Sequence, residues 1–524
     1  MAALRLLLPA VSLGSAVLAA DPFQTRCENF RDEIGIPNVK VNVASYVAGG
    51  TNLSLADNVP TCDQSQLVSS DVCRVAMAVT TSNASEITLE AWFPREYKGR
   101  FLSTGNGGLG GCIQYTDVDY ASSLGFATVG ANNGHNGTSG EPFYKAPEVL
   151  EDFTYRSVVT GIDVGKELTE LFYDEGYKTS YYLGCSTGGR QGFKIAQDFP
   201  DKLDGIVAGA PAINFIGLLS WSAHFYGITG PEGSDTYLSQ DEWSLVHDEI
   251  LRQCDGLDGA KDGIIEDPSF CHPNVSTIQC GAGAASNSCI TAAQVETVQE
   301  VFAPLLSANG SVLYPRMQPG SEIAASAIMY TGEPFIYSSD WWKYVVYSNP
   351  NWNATTWTVK DAAAAFRQNP YNIQTWNPDL SPLRDAGTKL ITYHGLMDML
   401  ISSDDSKWYY HRILKAMGID SDQLDEFYRF FQISGMSHCT GGDGAYGIGN
   451  EASGAAGTDP EDNVLMAMVR WVEEGTAPET VRGAAFSEDG SSVEWRRKHC
   501  RYPRHNVYKG PGEPTDEDAW ECEI

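Results

Sequence analysis

The segment that most restricts what this chain can become is Ser180-Tyr181-Tyr182-Leu183-Gly184-Cys185-Ser186-Thr187-Gly188. Its first four residues suit a strand, and a helix-forming stretch at about 189–198 comes directly after the motif. A strand that ends in Gly-x-Ser-x-Gly and turns at once into a helix is the nucleophile-elbow pattern. The flanking glycines leave room for a sharp turn that lifts a serine hydroxyl above the strand ends. The five-residue pattern alone is common, and the alternative is a glycine-rich turn with a spectator serine. The strand before it and the helix after it favour Ser186 as a nucleophile.

Other apolar runs end in similar turns. Arg100-Phe101-Leu102-Ser103-Thr104 enters Gly105-Asn106-Gly107-Gly108. Gly205-Ile206-Val207-Ala208-Gly209, Leu390-Ile391-Thr392-Tyr393 and residues 427–433 are further strands, and helical stretches are expected at 157–176 and 406–417. Strand, loop and helix in alternation predict a mostly parallel sheet covered by helices, an α/β-hydrolase core. The rhythm breaks after residue 211. The next stretch holds four cysteines, an Asp/Gly-rich loop and an aromatic cluster that includes Trp341, Trp342, Trp352, Trp357 and Trp376. This reads as an inserted lid domain at 212–382, with the catalytic domain formed by 20–211 and 383–524. Most of those aromatics are expected to build the lid's own core.

A serine hydroxyl needs a general base, and the base needs a carboxylate to fix its tautomer. In this fold the chain order is Ser, then Asp or Glu, then His. Among nine histidines, His438 in Ser434-Gly435-Met436-Ser437-His438-Cys439 occupies a loop after a strand, where a base belongs. His394 precedes every good acid candidate, and His411 falls on a helix. Asp398 follows a strand closely and precedes His438, whereas Asp404 and Asp405 open the next helix and are the runners-up. Cys185 directly precedes Ser186, and Cys439 directly follows His438. A disulfide between them would bring their α-carbons within roughly 4.4–6.8 Å and make nucleophile and base neighbours. The alternative is that each cysteine pairs elsewhere. An oxyanion hole would draw on the N–H of Thr187 and of Gly107 or Gly108.

Residues 255–264, Asp-Gly-Leu-Asp-Gly-Ala-Lys-Asp-Gly-Ile, resemble a calcium loop without EF-hand spacing. Asp255, Asp258 and Asp262 would supply carboxylates, and Ala260 and Ile264 would supply carbonyls. A solvated acidic turn is the alternative. The loop is distant from the other candidates in sequence, so its expected role is structural.

Arg5, the apolar run 6–18 and the small residues Ala19 and Ala20 form a signal peptide, assigned to 1–19. A secreted chain explains twelve cysteines as a disulfide framework. It also explains the sequons at Asn52, Asn83, Asn136, Asn274, Asn309 and Asn353. No later segment offers the apolar length of a membrane span. A formal charge of -32 disfavours nucleic acid, anionic lipid and highly anionic polymers as partners.

Together, residues 184–192 (Gly-Cys-Ser-Thr-Gly-Gly-Arg-Gln-Gly), 434–439, the 255–264 loop and Arg497-Lys498-His499-Cys500-Arg501-Tyr502-Pro503 resemble the fungal tannase and feruloyl esterase family, most of all its type-B feruloyl esterases. The resemblance runs from about Asp21 to the C-terminus. It implies the triad Ser186, Asp398 and His438, calcium at Asp255, Asp258, Ala260, Asp262 and Ile264, and no organic cofactor. It implies the disulfides Cys185–Cys439, Cys27–Cys73, Cys62–Cys112, Cys254–Cys271, Cys280–Cys289 and Cys500–Cys522. Ferulate, caffeate and p-coumarate esters of plant cell-wall polysaccharides such as xylan, or of quinate, are the expected substrates. The rivals are a tannase acting on galloyl esters and a catalytically silent binding protein on the same fold.

Overall fold

The computed structural model describes residues 21–281 and 288–524. The expected signal peptide at 1–19 lies outside the described residues. A nine-stranded sheet organises the chain: β1 (Val39–Val47), β2 (Val72–Ser82), β3 (Ser85–Pro94), β4 (Arg100–Thr104), β5 (Phe126–Ala131), β6 (Thr179–Cys185), β7 (Gly205–Gly209), β8 (Lys389–Gly395) and β9 (Tyr428–Ile433). The spatial order is β1-β2-β3-β5-β4-β6-β7-β8-β9. Pairing is antiparallel from β1 to β5 through β2 and β3, and parallel from β5 onward. This is the α/β-hydrolase architecture.

The parallel strands are apolar on both faces because helices cover both. Successive side chains point to opposite sides of a strand. Phe101, Tyr182, Ile206 and Leu390 accordingly enter one core, with Ile162 and Leu168 of α1 (Ser157–Phe172) and Phe193 of α2 (Thr187–Asp198). Their immediate neighbours Leu102, Tyr181, Val207 and Ile391 enter the other, with Leu465 and Met468 of the helix Val464–Glu474. Helix α1 stops at Phe172, short of the expected residue 176, because Tyr173 is already extended at φ -107° and ψ 128°.

Strands β7 and β8 are parallel neighbours, yet among the described residues the chain between them, 210–388, adds no strand to the central sheet. This stretch builds a separate hydrophobic cluster around Trp221, Trp243, Tyr314, Tyr330, Trp341 and Trp342. Leu109, Phe143, Phe153 and Ile401, from loops around the sheet, join the same cluster. The excursion therefore packs over the loop ends of the sheet. Trp376 departs from the pattern and packs against the sheet's own core.

The twelve cysteines form six disulfides, in the pairs that the family resemblance implies. All six sequon asparagines are exposed. Among the described residues, no helix is long and apolar enough to cross a membrane.

Candidate active site

Ser186 stands between the last residue of β6 and the first residue of α2, with φ 65° and ψ -122°. A non-glycine residue rarely holds this conformation, and it persists only where its surroundings enforce it. Here the Ser186 N–H donates to the Gly209 carbonyl at 3.0 Å, and the Ser186 carbonyl accepts from Arg190 and Ala212. The glycines around it are steric requirements. A methyl group on Gly189 would lie 2.3 Å from the Gly209 oxygen, and one on Gly184 would lie 2.8 Å from the Tyr182 hydroxyl.

The loop after β4 is clamped to α2. Asn106 N–H donates to Gln191 Oε1 at 3.0 Å, and Gln191 Nε2 donates to Asn106 Oδ1 and Asn133 Oδ1, each at 3.0 Å. These side chains are buried. Asn106 and Gln191 lie inside the two glycine-rich motifs, but nothing in the sequence marks them as site residues, because their amide pairing requires the fold. Thr187 Oγ1 donates to the Gly108 carbonyl at 2.6 Å. This brings Thr187, Gly107 and Gly108, the three oxyanion-hole candidates, to one cavity wall. The first-turn N–H groups of α2, Thr187 among them, have no acceptor within the helix.

His438 and Asp398 meet as the chain order suggests. His438 Nδ1 lies 2.7 Å from Asp398 Oδ2. Asp398 is fully buried, and its Oδ1 accepts from the N–H groups of Leu400 at 2.8 Å and Ile401 at 2.9 Å. Burial opposes ionisation of this carboxyl, but His438 and His394 outweigh it and hold the group well below the usual carboxylate range. The runners-up are engaged elsewhere. Asp404 pairs with Lys407 at 3.4 Å. Asp405 accepts from Asn214 Nδ2 at 3.1 Å, while its other oxygen is buried without a partner among the described residues. The Cys185–Cys439 bridge joins residues 254 apart, with α-carbons 6.0 Å apart. Ser186 and His438 line the same cavity.

That cavity encloses about 440 Å³. Its lining includes the apolar Leu218, Leu219, Phe335, Tyr337, Leu400 and Ile401 and the polar Gln114, Thr116, Asp117 and Glu451. Burial pushes Asp117 up to about 7, and the neighbouring Glu451 charge adds to the rise. A methyl group on Gly108 would lie 2.6 Å from the Tyr337 ring, so the excursion touches the glycine loop directly.

The five candidate calcium ligands fall in one loop beside the C-terminal hairpins. Asp255 Oδ1 accepts from the N–H groups of Asp262 and Gly263, and Asp258 Oδ1 accepts from Ala260. Asp262 Oδ2 pairs with Arg497 at 2.9 Å. Asp258 Oδ2 is buried with no partner among the described residues, an acceptor left available to a cation. Among the described residues, no three His, Cys, Asp or Glu side chains converge at metal-binding range. A hard cation here would therefore draw on the carbonyls of Ala260 and Ile264 as well as on carboxylates. Cys254–Cys271 closes the loop's flanks.

Comparison with known proteins gives the family and the fold. The family model described as "Tannase and feruloyl esterase" matches residues 70–523. The chain is 76% identical over 527 residues to a probable feruloyl esterase B of Emericella nidulans, covering 100% of both chains. It superposes on a crystal structure of feruloyl esterase B from Aspergillus oryzae with a TM-score of 0.94 and 55% identity, covering 96% of this chain and 100% of that one. Tannin acyl hydrolase from Aspergillus niger shares the fold, with a TM-score of 0.73 at 21% identity over 94% of this chain and 92% of that one.

Asp405 generates a prediction independent of catalysis. Burial pushes its carboxyl up to about 8, so between pH 4 and pH 8 the folded state holds a proton that the unfolded state has released. Stability attributable to this group is therefore present at low pH and falls as pH rises through that window. Asp405→Asn removes the titration and is expected to stabilise the fold by about 1–3 kcal/mol at pH 7 and hardly at all at pH 4. Thermal unfolding of both proteins at the two pH values measures the difference.

Proposed function

The chain belongs to the tannase and feruloyl esterase family and is a carboxylic ester hydrolase, and on that premise we propose that it is a secreted serine esterase for feruloyl and related hydroxycinnamoyl esters of plant cell-wall polysaccharides or quinate. The observation that carries the chemistry is the His438–Asp398 pair joined covalently, through Cys439 and Cys185, to the strained Ser186 turn. Ser186 Oγ attacks the ester carbonyl carbon while His438 takes its proton. The carbonyl electron pair moves onto oxygen, which the N–H groups of Thr187 and Gly107 or Gly108 receive. Collapse of this adduct expels the alcohol, which leaves with the proton from His438. Water then attacks the acyl-serine, His438 takes and returns a proton, and the phenolic acid departs. Asp398 stays ionised and supports the imidazolium throughout.

The excursion at 212–382 acts as the lid, and its Leu218, Leu219, Phe335 and Tyr337 take the planar phenolic ring by apolar burial and ring contact. The polar lining residues Gln114, Thr116, Asp117 and Glu451 meet the hydroxyl-rich alcohol. Hydroxycinnamate is preferred to gallate because the high-identity relatives carry the feruloyl esterase name, whereas the tannase likeness extends to the fold alone. Methyl ferulate is expected to be turned over with kcat/KM at least ~10-fold above methyl gallate, and Ser186→Ala to lose roughly 10⁴-fold or more while retaining its unfolding profile. The reverse preference identifies a tannase. Absence of turnover on both esters, with no labelling of Ser186 by an organophosphate, identifies a silent binding protein.

The six exposed sequons suit glycosylation, and the six disulfides suit an oxidising, extracellular setting. Calcium held by Asp255, Asp258, Asp262 and the carbonyls of Ala260 and Ile264 supplies structural charge neutralisation and no catalytic step. Chelation is expected to lower the apparent Tm by several degrees, with recovery on adding Ca²⁺ but not Mg²⁺. An unchanged Tm in chelator removes calcium from this reading.

A further inference from the structure

Asp398 has a second imidazole beside it. His394, the penultimate residue of β8, is fully buried, and its Nε2 lies 3.2 Å from Asp398 Oδ2 and 3.0 Å from the Ile401 carbonyl. Its Nδ1 lies 2.8 Å from Ser406 Oγ. Both neighbours of Nε2 are pure acceptors, so the proton of a neutral ring belongs on Nε2, and the Ser406 hydroxyl donates to Nδ1. The Nε2–H bonds the Ile401 carbonyl, and the carboxylate oxygen that also receives His438 lies beside it at 3.2 Å. The N–H groups of Leu400 and Ile401 bond the other oxygen, Oδ1.

We infer that His394 is a positioning residue for the proposed triad: it draws off part of the negative charge on Asp398 Oδ2 and so sets how strongly that carboxylate favours the protonated form of His438. The inference rests on the proposed roles of Ser186, Asp398 and His438. A base must be unprotonated to accept the serine proton. A carboxylate shared between two N–H donors stabilises each less than it would stabilise one alone. Sharing therefore keeps His438 available as a base further into acid. The other titratable groups around the pair are Tyr314 and Asp405, near Asp398, and Asp117 and Glu451, which line the same cavity as His438. Each stands apart from the hydrogen bonds that join the pair. Ile401 ties the device to the cavity, since its backbone serves both Asp398 and His394 and the residue is part of the cavity lining.

The test is the pH profile of kcat/KM on methyl ferulate for wild type, His394→Leu and His394→Gln. Leucine removes the donor, and the carboxylate's full charge falls on His438. The acid limb is expected to move to higher pH by roughly half a unit or more, with KM at the plateau held within about two-fold. Glutamine, whose amide can donate where Nε2 stands, is expected to keep the limb near wild type. Superposable limbs in wild type and His394→Leu overturn the inference, as does an equal displacement in both variants, which would mark His394 as packing alone. If His394→Leu does not fold, Ser406→Ala decides: loss of the hydroxyl that orients the ring shifts the limb in the same direction, and an unshifted limb overturns the inference. Failure of the proposed function would show instead as turnover surviving in Ser186→Ala, whatever the shape of these profiles.

Discussion

The structure depends on one backbone turn that is unfavourable in isolation. Ser186 sits at positive φ because three hydrogen bonds and a wall of glycines leave it no other place. Gly189 brings α2 so near the end of β7 that no side chain fits between them, and Gly184 does the same against Tyr182. The close approach has a second result: it puts Gln191 within reach of Asn106, so the glycine loop after β4 is fixed by the same helix that fixes the serine. Nucleophile and candidate anion receiver are thus set by one packing decision.

Much of this is legible in the chain because the relevant signals are local. The elbow announces itself through adjacent residues, and each parallel strand near it is a short apolar run ending at a glycine or polar turn. The antiparallel strands are marked unevenly: β2 carries the apolar run Val75-Ala76-Met77-Ala78-Val79, whereas β1 has none. They are long strands at one margin of the sheet, and β1 has half-buried residues where the inner strands are fully buried, so no compact apolar run gives it away. Chain order argues against His394 as the base, but order along the chain says nothing of a second ring lying against the acid. That contact arises because the loop after β8 folds back, so that residues four apart face each other through a carboxylate. Asp405 shows the converse. A carboxylate at a helix start ordinarily faces water, and only the packing of Asn214 against it reveals that it is buried.

The excursion between β7 and β8 joins fold to chemistry. Its aromatics mostly fill its own interior, while a few apolar side chains reach the cavity and Tyr337 rests on Gly108. The same cluster extends to Leu109, Phe143 and Ile401, so it is anchored to the loops that carry the candidate residues. A shift of the excursion would be felt at the glycine loop and at the loop holding Asp398.

The Cys185–Cys439 bridge spans 254 positions and turns the whole intervening chain into a closed ring. Topologically, a single cut by a protease anywhere within that ring cannot set the two resulting pieces free, because one still carries Ser186 and the other His438 across an intact sulfur linkage. Among proteases, such a molecule would lose a loop's continuity without losing the company of its two reacting side chains. The covalent tie is therefore also insurance against nicking.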